Sequence, residues 1–250
     1  MKYVIANWKM GPPERSEAER LTAALTQELR RGSERVTVVL CPPFPWLPLV
    51  GAESRMTSRW RLGAQDAFWE ERGAFTGEVS LPMLRSLAVQ YVIVGHSERR
   101  ALGDTNEIVG RKLRAVLSSG MTAVLCVGEL HREGDWHVAF REQVAEALGV
   151  IEAADAGKLI VTYEPVWAIG GSIPDTPDDV LSAVLFIRKL LRERFGERAA
   201  SSVPILYGGS IEGGTVAPFA NQEGIDGVLV GHASLNAGDF ADIVRAIGDA

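Results

Sequence analysis

Eight short apolar runs recur along the chain, at residues 3–6, 36–41, 61–65, 91–94, 122–127, 159–164, 205–207 and 227–230. Between them lie segments with a single apolar face, such as Leu21/Leu25/Leu29, Leu113/Val116/Leu117, Phe140/Val144/Leu148 and Phe240/Ile243/Val244/Ile247. A run like Leu159-Ile160-Val161, apolar without alternation, suits a strand buried on both faces, as in a parallel sheet. The segments between have the three- and four-residue spacing of amphipathic helices. Asp104 with Glu107 reads as a capping box, Thr176-Pro177 as a cap followed by proline at the first helical position, and Gly120 as a C-terminal stop. Strict strand–helix alternation implies right-handed crossovers, and eight repeats in 250 residues is the size of a closed (β/α)8 barrel. We therefore expect an α/β fold with a parallel eight-stranded core, in one domain over residues 1–250. The rival is an open doubly wound sheet, but no Gly-x-Gly-x-x-Gly follows the first strand, and no Pro/Ser-rich linker divides the chain.

Composition narrows the function. A formal charge of −6 and a pI near 5.4, with no basic run, argue against binding to nucleic acid or a membrane surface. No apolar run approaches the length of a transmembrane helix and the N-terminus enters a strand directly, so a cytoplasmic protein is expected. Cys41 and Cys126 both fall inside apolar strands, which disfavours a disulfide, and two cysteines cannot complete a structural zinc site.

In a parallel barrel the C-terminal strand ends converge on one mouth. That gathers Asn7, Lys9, Gln65, Asp66, His96, Glu98, Gly128, Glu129, Glu164, Gly208-Gly209-Ser210 and Gly231-His232. Glu164 is a carboxylate ending a buried strand ahead of a glycine-bearing loop. Glycine turns after the seventh and eighth strands are where such barrels hold a phosphate on backbone N–H groups, and Lys9 would add positive charge. His96 precedes a short helix whose dipole favours a neutral imidazole, able to donate a hydrogen bond. A carboxylate base, a neutral histidine, a lysine and a phosphate cradle together suit proton abstraction beside a carbonyl, with no metal or cofactor required.

The chain also resembles the triosephosphate isomerase family over nearly its whole length. Five stretches carry the resemblance in the family's order: Asn-Trp-Lys-Met at 7–10, Gly-Ala-Phe-Thr-Gly-Glu at 73–78, Val-Gly-His-Ser-Glu-Arg-Arg at 94–100, Tyr-Glu-Pro-Val-Trp-Ala-Ile-Gly at 163–170 and Tyr-Gly-Gly-Ser at 207–210. The resemblance implies a TIM barrel that interconverts dihydroxyacetone phosphate and D-glyceraldehyde 3-phosphate through an enediolate, in glycolysis and gluconeogenesis. It implies Glu164 as base, His96 as electrophile, and Lys9 and Asn7 as oxyanion-stabilising and substrate-binding residues. Gly170, Ser210, Gly231 and the His232 backbone would bind phosphate, and Glu98 would support Lys9. The neutral histidine and the closing lid, here residues 165–175, are known from this family itself, so both are carried over by resemblance. So is a homodimer formed through the aromatic loop 66–79, with Thr76 near its tip.

The chain departs from the family pattern at Gly11, where Asn is common, at His232, which replaces the second glycine of Val-Gly-Gly-Ala-Ser-Leu, and at Gly171-Ser172-Ile173-Pro174-Asp175 in the lid. The rival within the class is an isomerase of a longer ketose phosphate, such as a tetrulose phosphate. An inactive phosphate-binding barrel would be expected to have lost Lys9, His96 or Glu164. A Schiff-base aldolase would need a free lysine over the carbonyl.

Overall fold

The computed structural model describes residues 2–29, 35–57, 59–131, 136–168 and 175–250. Its strands are β1 (Lys2–Asn7), β2 (Val36–Cys41), β3 (Arg61–Ala64), β4 (Tyr91–Val94), β5 (Thr122–Val127), β6 (Leu159–Tyr163), β7 (Ile205–Tyr207) and β8 (Gly227–Val230). They pair in parallel and in sequence order, and β8 returns to β1. This is the expected (β/α)8 barrel, and the β1–β8 pairing excludes the open sheet. Two strand ends fall one residue earlier than the sequence suggests, so Gln65 and Glu164 lie just beyond β3 and β6.

Side chains on the strands alternate between two apolar layers, because successive residues of a strand face opposite sides of the sheet. Ile5, Val39, Cys41, Ile93, Val124, Cys126, Ile160, Leu206 and Leu229 fill the barrel interior. Their neighbours Val4, Ala6, Val38, Leu40, Val92 and Val94 face outward under the helices. Both layers exclude water, which is why the runs are apolar throughout. Cys41 meets Gly63 so closely inside the barrel that a Cβ at residue 63 would overlap its sulfur, as suits a small core residue. Neither cysteine is in a disulfide.

The helices are α1 (Arg15–Glu28), α2 (Leu47–Thr57), α3 (Leu81–Ser86), α4 (Ser97–Ala101), α5 (Asn106–Ser118), α6 (Trp136–Gly149), α7 (Pro177–Phe195), α8 (Glu197–Ser202), α9 (Ala217–Ala220) and α10 (Ala237–Gly248). Helix α5 buries Val109, Leu113, Val116 and Leu117, and α10 buries Phe240, Ile243, Val244 and Ile247. Thr176 caps α7 as expected, its hydroxyl oxygen accepting from the Asp179 N–H at 3.2 Å. The α5 cap differs from expectation: Thr105, not Asp104, accepts the Ile108 N–H. No described helix is long and apolar enough to cross a membrane.

Asp104 is turned inward for a reason. Lys112 on α5 is 3% exposed, and its ammonium lies 2.8 Å from the Asp66 carboxylate and 2.6 Å from that of Asp104. Arg99 on α4 joins both acids, at 3.1 and 3.4 Å. The cluster ties α4 to α5 and to the end of β3. Removing one partner of a buried ion group leaves the others unpaired, which costs about 3–5 kcal/mol. We therefore expect Lys112→Met to lose stability on that scale in urea denaturation, and a loss below about 1 kcal/mol would show that the cluster is not a strong tether.

Candidate active site

Lys9 leaves the end of β1 with a φ of +52°, a conformation that is costly for a residue with a Cβ. Neighbouring groups hold it there. The Lys9 N–H donates to Asn7 Oδ1 at 3.0 Å, and the Lys9 carbonyl accepts from Gln65 Nε2 at 2.9 Å. Lys9 Nζ is directed to Glu98, 2.8 Å away. On the neighbouring strand end, Gly231 leaves room for this chain, since a Cβ there would sit 3.0 Å from Lys9 Cε.

His96 caps the five-residue helix α4 with its own side chain. Nδ1 accepts the Glu98 N–H at 3.2 Å, so this nitrogen carries no proton and the imidazole is the neutral Nε2–H tautomer. That Nε2 lies 3.2 Å from Glu164 Oε1. Both side chains are buried, at 6% and 2% exposure.

Glu164 follows β6, and three contacts fix it. Its N–H donates to the Val127 carbonyl at 2.8 Å, its Oε2 accepts from the Ser97 N–H at 3.2 Å, and its carbonyl packs on Gly128, where a Cβ would overlap it. Oε1 is buried without an aligned hydrogen bond among the described residues. One oxygen is therefore anchored and the other is open to accept a proton. Cys126 lies beneath, and burial, then the Glu164 charge and a hydrogen bond to that carboxylate, push its thiol well above the usual range. It remains a neutral thiol.

Residues Asn7, Lys9, His96, Glu164, Ser210, Gly231 and His232 together line a cavity of about 520 Å³ at the C-terminal mouth. Glu98 stands at its edge through Lys9. Gly170 and the lid positions 171–174 lie outside the described residues. The loop after β7 is pinned by Ser210, whose hydroxyl donates to the Ala168 carbonyl at 3.0 Å. His232 begins a 3-10 turn and does not adopt a positive φ, so the side chain in place of a glycine causes no backbone strain there. Burial and then the Asp175 charge push the Tyr207 phenol above its usual value.

Three positioning residues received no role from the sequence. Ser97 and Gln65 act as described above. Glu129, 3% exposed, accepts from the Tyr163 hydroxyl at 2.8 Å and from Trp167 Nε1 at 2.9 Å, while its carbonyl accepts the Val166 N–H. It thereby holds the start of the segment after Glu164. Their location at strand ends was legible, but the atoms they engage lie far away in sequence.

An open carboxylate oxygen, an N–H donor and an ammonium around one cavity can move a carbon-bound proton and stabilise the oxyanion that results. Comparison with known proteins points the same way. The family model described as triosephosphate isomerase matches residues 2–247. The chain is 43% identical over 246 residues to the triosephosphate isomerase of Moorella thermoacetica, covering 97% of each chain. It is 40% identical to that of Dehalococcoides mccartyi, covering 97% of this chain and 94% of the relative, and 40% identical to that of Aquifex aeolicus, covering 97% and 98%. The chain belongs to the triosephosphate isomerase family, and with it to the aldose–ketose isomerases.

Proposed function

We propose that this chain interconverts dihydroxyacetone phosphate and D-glyceraldehyde 3-phosphate without a cofactor or metal. The observation that carries the reading is the pairing of the open Glu164 oxygen with the neutral His96 Nε2–H, 3.2 Å apart and both buried at the mouth. Glu164 takes the proton from the hydroxymethyl carbon of the ketose. The C–H electron pair forms the enediol double bond, and the carbonyl pair moves onto oxygen. His96 Nε2–H and the Lys9 ammonium stabilise that oxyanion, with Asn7 holding Lys9 in register and Glu98 orienting its charge. Return of the proton from Glu164 to the neighbouring carbon, with a proton passing between the two oxygens, gives the aldose. Gly170, Ser210, Gly231 and His232 hold the phosphate through backbone N–H groups. Burial of His96 and Glu164 strengthens the interactions these two make, because little water screens them.

We further propose that residues 1–250 form one barrel domain, that the protein is cytoplasmic, and that it pairs as a homodimer through loop 66–79. Its two cysteines are buried and unpaired, in keeping with a reducing compartment. In the loop, Phe68 packs inward against Trp69 and Phe75, with ring centroids 4.0 and 4.6 Å apart, and its N–H closes the neck on the Val79 carbonyl. The loop is thus a preformed projection whose tip, including Thr76 and the 44% exposed Phe75, is available to a second copy.

Glu164→Gln keeps the side-chain shape but removes the base. Turnover in a coupled assay with glyceraldehyde 3-phosphate should fall by about 10²–10⁴-fold, with phosphate-analogue binding nearly unchanged. Activity within about tenfold of the parent would eliminate Glu164 as the base. For the assembly, sedimentation at micromolar concentration should show a species of twice the 27.1 kDa chain mass, reduced to monomer by Phe75→Asp with Thr76→Glu. A parent that sediments only as a monomer would refute the dimer.

A further inference from the structure

The charged side chains lining the mouth are at odds with the ligand proposed for it. Among the described residues they comprise Lys9 against the carboxylates of Glu164, Glu212 and Asp239. Lys9 is already shared with Glu98. Positions 169–174 read Ile-Gly-Gly-Ser-Ile-Pro and contribute no ionisable group. A phosphate monoester carries a charge of about −1.5 to −2 at neutral pH. Backbone N–H groups supply part of the compensation, but their partial charges do not balance three acids and an incoming dianion. His96 is committed as a neutral group, since its Nδ1 accepts the Glu98 N–H.

His232 is the remaining side chain in the cavity lining that can gain a positive charge. It follows Gly231, beside which the Lys9 side chain passes, and His232 and Lys9 line the same cavity. The imidazole makes no hydrogen bond or ion pair with another described residue. The described charged groups that line the cavity with it are Lys9 beyond β1, Glu164 beyond β6, Glu212 beyond β7 and Asp239 on α10. Histidine is the side chain that changes charge within the physiological pH range.

We propose that the His232 side chain is a proton-linked phosphate-binding group, which takes up a proton as a dianion enters and stands beside Lys9 as the second cation of the phosphate subsite. The inference rests on the isomerase reading only in placing the phosphate at this end of the cavity. Binding is then dianion plus one solvent proton at each site where the imidazole was neutral. Affinity for the dianion weakens as pH rises, because the proton becomes scarcer.

Inorganic sulfate is the probe, since it stays dianionic between about pH 6 and about pH 9 and any pH dependence comes from the protein. Calorimetry in two buffers of different ionisation heat should show uptake of a fraction of a proton on sulfate binding to the parent near neutral pH. Sulfate affinity should fall roughly three- to fivefold across that range, the scale of one partly exposed ion pair. His232→Gln should abolish both effects, and His232→Lys should keep the tighter binding with neither pH dependence nor proton uptake. Persistence of proton uptake in His232→Gln, or absence of uptake or of sulfate binding in the parent, would overturn the proposal. Isomerisation is measured separately, so loss of the isomerase reading and loss of the His232 role give different results.

Discussion

The parallel pairing of β8 with β1 is the contact on which the site depends. Its register sets Ala6 opposite Val230, so the residues that follow, Asn7 through Lys9 on one side and Gly231 with His232 on the other, emerge together. The two strands are separated by nearly the whole sequence, and bringing them together costs loop-closure entropy, though that cost grows only slowly with length. The return comes from the two apolar layers, since each strand buries side chains both inside the barrel and beneath the helices. Without that pairing, Lys9 and the phosphate-facing turns would be at opposite edges of an open sheet.

Once the barrel is closed, backbone groups place the reactive side chains more finely than the strands do. Glu164 is held at its N–H by Val127, at Oε2 by the Ser97 N–H, and at its carbonyl by close packing on Gly128. His96 is oriented by the helix it caps, and that helix is tied through Arg99 to the buried Lys112 cluster. Glu164 and His96 are therefore anchored to different strands but through rigid backbone, which limits their relative motion. Arg99 and Lys112 touch neither reacting group, yet the position of His96 depends on α4 being held. The same economy is seen at Glu129, which uses its backbone and its side chain to secure the turn after Glu164.

Charge is distributed with similar restraint. The mouth carries more acid than base among its described side chains, so attraction for an anion relies on more than charged side chains. Backbone N–H groups at turns serve this purpose because they are fixed dipoles and need no counter-ion.

The sequence by itself determined the class of fold and most of the site. Apolar periodicity is a local property, readable from a few neighbouring residues, and it placed all eight strands and located Lys9, His96, Glu164, Ser210, Gly231 and His232 at strand ends. It did not decide between local partners and distant ones. Asp104 has the spacing of a helix cap, but Thr105 takes that role, because a buried lysine eight residues on claims the aspartate. Within the aromatic loop 66–79, Phe68 is buried against its own loop, while Phe75 is left exposed. Whether His232 could stand where a glycine is usual depended on a φ that only the folded turn sets. Which oxygen of Glu164 is anchored and which is open depended on Ser97, 67 residues away. Hydrogen bonds and ion pairs of this kind form between groups that meet only after the barrel has closed, so tertiary structure decided them.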